Sequence, residues 1–351
     1  MKHALKKTET GELLAELSHG ARVLIIRLRP LGDMVLLTPA LGALHSWRPD
    51  LRLTVLAEPS VALVLEGNPA VAEILLHSQF ASTVAAIRQR HFPIVFNQHA
   101  GPTSALLTAL SGAPVRVCWE RRQFSWAYNV HVPSPSAFYG PDEIHAEVHT
   151  VMQRMTQFYA TGLPQGPIPP AVIYPSTEAR AVISRLLAAQ GIEAGARYAV
   201  VRPGATHATK RWSVKNYGAV ALWLRQQGIP TIVNLGPGDE ELAAPIRELW
   251  GADSSGGTVI PIIDGLAVPE LMALLAGARL LVGNDTGPTH IAAAAHVPIV
   301  VLFGASNSVH WRPWATDYRL LRSERPAAPG LPSIRVEDVQ AACAELLALH
   351  K

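Results

Sequence analysis

The sequence is poor in cysteine, in charge and in long apolar runs, and each shortage narrows what it can do. Only two cysteines occur in 351 residues, Cys118 and Cys343, and they form no CxxC pair. A disulfide framework or a thiolate metal centre has no basis there; two reduced packing thiols in a reducing compartment do. Charged residues make up 16% of the chain, with no long Lys/Arg block and no zinc-finger or RNA-binding signature. Nucleic acid is therefore not an expected partner. The apolar runs Ile291 to Ala295 and Ile299 to Phe303 are separated by His296 and Pro298. Neither approaches the ~20 residues of a spanning helix. Met1 to Glu9 lacks the apolar core of a signal peptide, so a cytoplasmic protein is expected, at most touching the cytoplasmic face of the inner membrane. Also missing are a GxGxxG after the first strand, a GxxxxGKS/T and a GxSxG. Dehydrogenase, P-loop NTPase and α/β-hydrolase readings lose their main support. There is no Asp-x-Asp pair to hold a metal on a sugar nucleotide, so no metal and no cofactor are expected.

What the chain does contain is 49% apolar residues, a net charge of +3 and a length that favours two domains. Mild basicity suits anionic ligands. Leu5 to Leu17 reads as a short amphipathic helix ending at Gly20. Arg22 to Leu28 is a short, β-branched, uninterrupted run, the pattern of a buried strand, and Met34 to Trp47 reads as the helix that follows it. Further strands are expected at Leu53–Ala57, Glu73–Leu76, Ile94–Asn97 and Val115–Trp119. Gly162 to Pro170 is rich in Pro and Gly and reads as a linker. Beyond it strands are expected at Tyr198–Arg202, Thr231–Leu235, Val259–Ile263, Leu280–Gly283 and Ile299–Phe303. A last helix, Val336 to Leu349, cannot be assigned to either half. Strands alternating with helices mean parallel sheets. The expected architecture is two Rossmann-like doubly wound α/β domains, 1–165 and 166–351, facing across a ligand cleft.

Four turns could carry chemistry. In Gly283-Asn284-Asp285-Thr286-Gly287-Pro288-Thr289-His290 a strand ends and a helix begins, with Pro near its first position. Unpaired N–H groups and the helix dipole favour an anion there, and Thr286 and Gly287 would let a diphosphate approach. A plain N-cap would use the same residues. Arg202-Pro203-Gly204-Ala205-Thr206 leads to Lys210-Arg211-Trp212, two cations able to neutralise phosphate and an indole able to cover a base or simply to pack. A third turn ends in Asp239, Glu240 and Glu241, where a ribose contact would sit. In the first half Asp33 follows Gly32 at a strand's end, placed for a general base or for another N-cap, with Glu58 a weaker competitor. Trp119 to Tyr128, with Arg121 and Arg122, interleaves cations and aromatics and could meet an anionic acceptor or a membrane surface. His145 and His149, four apart, lack a third metal ligand.

Taken together these motifs resemble the bacterial heptosyltransferases of glycosyltransferase family 9, over about Val23 to Arg322. Ile25-Ile26-Arg27 through Leu31-Gly32-Asp33 to Thr38-Pro39-Ala40-Leu41 is similar to the family's first signature. Pro203-Gly204-Ala205 with Lys210-Arg211-Trp212 is similar to the second, and Leu274 through Gly283–Pro288 and His290 to Val301-Leu302-Phe303-Gly304 to the third. The resemblance implies a GT-B fold and inverting, metal-independent transfer of heptose from ADP-heptose to a lipopolysaccharide core acceptor. It implies Asp33 as general base and Lys210 as a contact to donor phosphate or sugar. Gly204, Thr206, Arg211, Glu240, Glu241, Asp285, Thr286, Gly287, Pro288 and His290 then form the donor site. Arg29, Gly32, Arg121 and Arg122 fall on the acceptor side. Two departures stand out: Ser213 where relatives commonly have Pro, and Arg29-Pro30 where small hydroxyl residues are common. A GT-B nucleotide-sugar epimerase and a non-catalytic sugar-nucleotide binding module are the alternatives.

Overall fold

A computed structural model describes residues 10–120, 123–140, 148–193, 195–205, 207–250, 260–325 and 328–350. The chain divides into two compact units, Met1–Val172 and Ile173–Lys351. The first holds strands β1 (Arg22–Ile26), β2 (Arg52–Ala57), β3 (Glu73–Leu76), β4 (Ile94–Asn97), β5 (Val115–Trp119) and β6 (Val130–Val132). Its helices are α1 (Leu31–Val35), α2 (Thr38–Trp47), α3 (Pro59–Ala62), α4 (Phe80–Gln89), α5 (Pro102–Leu110), α6 (Pro135–Tyr139) and α7 (Thr150–Tyr159). The second unit holds β7 (Tyr198–Arg202), β8 (Thr231–Asn234), β9 (Ile262–Ile263), β10 (Ala278–Asn284), β11 (Ile299–Phe303) and β12 (Tyr318–Arg322). Its helices are α8 (Thr177–Ala189), α9 (Val214–Gln226), α10 (Ala243–Trp250), α11 (Val268–Ala276), α12 (Gly287–Ala294), α13 (Ser308–Trp311) and α14 (Val336–Leu349).

Both sheets are six-stranded and parallel throughout, in the orders β3-β2-β1-β4-β5-β6 and β12-β11-β10-β7-β8-β9. Counted from the first strand of each unit, the two orders are the same. Every residue of β4, β7 and β11 is buried, which demands cover on both faces and explains why these strands read as unbroken apolar runs. In the first unit Leu24, Ile26, Leu56 and Val95 pack with Ile87 of α4 and Leu107 of α5. In the second, Val201, Val233, Leu280, Val300 and Leu302 pack with Tyr217 of α9, Ile246 of α10 and Val339, Cys343 and Leu346 of α14. That places α14, which the sequence left unassigned, on the sheet of the second unit. Both cysteines are free and buried, and burial pushes the Cys343 thiol up to about 12, so it behaves as a packing group.

Two helices differ from expectation. Of the helix read over Leu5 to Leu17, the residues before 10 lie outside the described residues, and the rest is a 3-10 turn at Thr10–Glu12 followed by turns and bends. Arg48 fastens this segment to the end of α2, its guanidinium donating to the carbonyls of Leu14, Ala15 and Leu17. The helix read over Met34 to Trp47 is two, α1 and α2. Pro39 cannot donate to the carbonyl of Val35, and the Thr38 hydroxyl donates to it instead at 2.7 Å. The same hydroxyl accepts from the Val172 amide at 3.0 Å. β6 and β12 went unread because one is three residues long and the other is a partly exposed edge with arginines at two positions. No helix of the described residues is long and apolar enough to cross a membrane.

Candidate functional site

In a sheet of this order the chain leaves in opposite directions from its first and fourth strands, and a crevice opens at their carboxyl ends. Those strands are β1 and β4 in the first unit, β7 and β10 in the second. Asp33 sits one turn past β1, yet α1 has Pro30 at its N-cap and no side-chain cap. The carboxylate is engaged elsewhere. Its Oδ1 receives Arg27 Nη2 at 2.6 Å and Arg154 Nη2 at 2.5 Å, and the three side chains are 5 to 8% exposed. Among the described residues nothing donates to Oδ2.

The arginines are themselves fixed. Arg27 Nη1 and Arg154 Nη1 both donate to the carbonyl of Gln98, just past β4, at 2.7 and 3.0 Å. Gln98 Nε2 returns a bond to the Arg154 carbonyl, and Gln157 Nε2 donates to that of Asn97. Two buried guanidiniums therefore share one carboxylate. Burial first, then repulsion from Arg154, pushes Arg27 down to about 9 against the pull of Asp33. Arg29, more exposed, reaches Glu58 at 3.7 Å, so this competitor for the base role lies in a loose surface pair.

Sequence reasoning did not find Arg154, Gln98 or the pairing of Arg27. Arg27 carried a signal, a cation directly after the β-branched run of β1. Arg154 carried none, since its role depends on α7 returning to β1 across 121 residues of chain.

In the second unit the organising side chain is Asn284, the last residue of β10. Its Nδ2 donates to the carbonyls of Pro203 and Gly204, and its Oδ1 accepts from the Trp212 amide and the Tyr217 hydroxyl. One amide thus ties the loop after β7 to the strand end that leads into α12. Thr286 is the N-cap of α12 without capping it; its hydroxyl and that of Thr289 donate back to the Asn284 carbonyl. Gly287 and Pro288 open the helix, and the buried His290 lies 6.3 Å, ring to ring, from Trp311. Pro288 has no N–H and the Thr289 amide donates to the Thr286 carbonyl, so among the first three residues of α12 it is the Gly287 amide that remains available to an anion.

Lys210 Nζ meets Asp285 Oδ2 at 3.1 Å, with the lysine partly exposed and the aspartate buried. Arg211 turns away from both: its Nε donates to the Ala205 carbonyl and its Nη1 to Glu241, which fastens the loop after β7 to the one after β8. Glu240 is exposed and accepts from the Gly238 amide, which holds its carboxyl below the usual range. Asp239 is the buried carboxylate of that turn. It accepts from the Gly236 amide at 3.0 Å and rests against Gly204, where an added Cβ would stand 1.9 Å from its Oδ2. Arg202 donates to Asn234 and lies 3.9 Å from Asp239. Trp212 packs: it is buried edge-to-face against Tyr217 at 5.0 Å and donates to the Ile334 carbonyl.

Thr206, Arg121, Arg122 and His145 lie outside the described residues. His149 accepts from the Val151 amide through Nδ1 and so caps α7. Among the described residues no three His, Cys, Asp or Glu side chains gather as a metal-binding group.

Residues 81–338 match the sequence model of glycosyltransferase family 9 (heptosyltransferase). Lipopolysaccharide heptosyltransferase 3 of Escherichia coli is 26% identical over 303 residues, 82% of this chain and 84% of its own length. A solved family 9 glycosyltransferase from Veillonella parvula superposes with a TM-score of 0.82 at 21% identity, covering 94% of this chain and 97% of its own. The E. coli ADP-heptose lipopolysaccharide heptosyltransferase II superposes at 0.79 with 20% identity, covering 94% and 99%. Both share the GT-B arrangement of two doubly wound sheets, and the family match favours sugar transfer over epimerisation or binding alone. The chain belongs to glycosyltransferase family 9, the heptosyltransferase family.

Proposed function

We propose that this chain transfers heptose from ADP-heptose to a lipopolysaccharide core acceptor, with inversion and without a metal ion. The observation that carries the reading is Asp33: buried, gripped through Oδ1 by two anchored arginines at the carboxyl end of β1, with no donor to Oδ2 among the described residues. An aspartate that neither caps its helix nor spends both oxygens is placed to take a proton. In the proposed step an acceptor hydroxyl oxygen attacks the anomeric carbon, its proton passes to Asp33 Oδ2, and the carbon–oxygen bond to the diphosphate breaks. A single displacement inverts that carbon. The leaving diphosphate is met by the Gly287 amide at the start of α12, by the helix dipole and by Lys210, a preorganised electrostatic arrangement that needs no change in protonation. The donor and acceptor classes are those of the relatives, ADP-heptose and lipopolysaccharide. With a lipid-borne acceptor, the chain works in the cytoplasm against the inner face of the membrane.

Calorimetric titration with ADP, UDP, GDP and dTDP, with and without chelator, tests this. Selective ADP binding that a chelator leaves unchanged is expected. Preference for another base moves the donor elsewhere, chelator-sensitive binding removes the metal-free mechanism, and no binding at all removes the donor site.

A further inference from the structure

His99 is a titratable residue at the first unit's crevice that the proposed step leaves idle. It follows β4, one residue past the Gln98 carbonyl that holds both arginines. Its amide is fixed by Asn97 Oδ1 at 3.0 Å, which also holds the amide of Ala100 at 2.7 Å. Asn97 is pinned in turn through Nδ2 to Thr108 and Tyr128, so this short loop is rigidly set. The ring lies over Gly101, where an added Cβ would stand 3.2 Å from its Cδ2 and 3.4 Å from its Nε2. Any larger residue at 101 would press on the imidazole.

Among the described residues neither ring nitrogen of His99 has a hydrogen-bond partner, and Nδ1 is buried. Buried polar atoms almost always have partners, and an orphan costs stability. Burial, followed by Arg27, Arg29 and Arg154 and opposed by Asp33, pushes the imidazole down to about 4. It is uncharged near neutral pH and offers one donor and one acceptor. The arginines around it only donate and the Asp33 carboxylate only accepts. A sugar hydroxyl does both, and the imidazole is the side chain there that can answer both needs.

We propose that His99 is a further substrate-contacting residue, its imidazole hydrogen-bonding an acceptor hydroxyl beside Asp33. This rests on the first unit holding the acceptor, as proposed above. The contact orients the acceptor and leaves the donor untouched, so it acts on acceptor affinity and turnover and not on ADP.

The test compares wild type, His99→Phe and His99→Gln, using ADP-heptose and a deacylated lipid A-core oligosaccharide. KM is measured for each substrate separately, with thermal midpoints as the fold control. His99→Phe should raise the acceptor KM about tenfold, the scale of one lost hydrogen bond, with the donor KM within about twofold. His99→Gln should recover part of the loss, because an amide both donates and accepts. An unchanged acceptor KM and kcat in His99→Phe overturns the proposal. So does a matching rise in both KM values with a lowered midpoint, which marks a merely structural residue. A second readout is independent of turnover and of the Phe variant folding: the 15N resonances of His99 in wild type should shift on adding the oligosaccharide and not on adding ADP. Resonances indifferent to the oligosaccharide contradict it. If wild type transfers to no acceptor, the transferase reading fails, and the resonance measurement still decides whether His99 meets the oligosaccharide.

Discussion

The two units share one strand order and place their functional residues at the same topological point, yet they build opposite kinds of site. At the ends of β1 and β4 the proposed work falls to titratable side chains: one carboxylate, two buried guanidiniums and an uncharged imidazole, locked to the loop after β4. At the ends of β7 and β10 it falls to backbone: Asn284 fixes two loops, and the Gly287 amide at the start of α12 is left for an anion. The difference fits what each does in the proposed reaction. A proton acceptor has to be a titratable side chain whose position is held from several directions. A diphosphate cradle needs only donors and a favourable dipole, which any helix start after a strand supplies. Damage to the first site should therefore show in turnover, and damage to the second in donor affinity.

The largest effect that would sharpen this contrast is expected from Arg154→Met. Removing one partner from a buried ion cluster leaves Asp33 undercompensated and should cost about 3 kcal/mol of stability, read from denaturant midpoints. Adding Asp33→Asn should recover part of that loss, since the uncompensated charge goes with it. If the double variant is as destabilised as the two single changes summed, the pair is not coupled and the clamp is not what holds Asp33.

Gly204→Ala is the matching change in the second unit. Its new Cβ has no room beside the Asp239 carboxylate, which Gly236 and Arg202 hold in place. A cost of about 1–3 kcal/mol is expected for such overpacking. A roughly tenfold loss of ADP affinity should accompany it in calorimetry, worth about 1.4 kcal/mol. Unaltered ADP affinity would separate this loop from the donor and break the comparison.

The smallest effect concerns acid. The His99 imidazole is pushed from 6.5 to about 4 in the fold, so the unfolded chain binds this proton more readily. Its contribution to stability is present above about pH 6.5 and is lost as pH falls from there through 4. Thermal midpoints of His99→Gln should accordingly fall less steeply than those of wild type between pH 6.5 and 4. Parallel slopes would mean that the ring is not held uncharged.

Much of the framework was legible in the sequence because buried parallel strands are local signals. Glu73–Leu76, Ile94–Asn97, Val115–Trp119, Tyr198–Arg202 and Ile299–Phe303 stand where their apolar runs placed them. The turns carrying Asp33, Lys210 and Thr286 were legible as strand ends followed by helix starts. Partnership was not. Nothing near Asp33 in sequence names Arg154, and nothing near Arg211 names Glu241, thirty residues on, to which it donates. The acidic turn after β8 was read through its exposed glutamates, while the residue packed into the loops is Asp239. One usable signal was overlooked: β4, β8 and β10 each end in asparagine, and each of those amides ties a strand end to another segment. A polar residue closing an apolar run is worth reading as a tie across the sheet's edge.

The most direct test of the account is Asp33→Asn, measured for both kcat and ADP affinity. The account predicts that turnover falls at least ~100-fold, the usual scale for a general base, while ADP affinity stays within about twofold. Near-normal turnover, or a loss of ADP binding equal to the loss of rate, would contradict it.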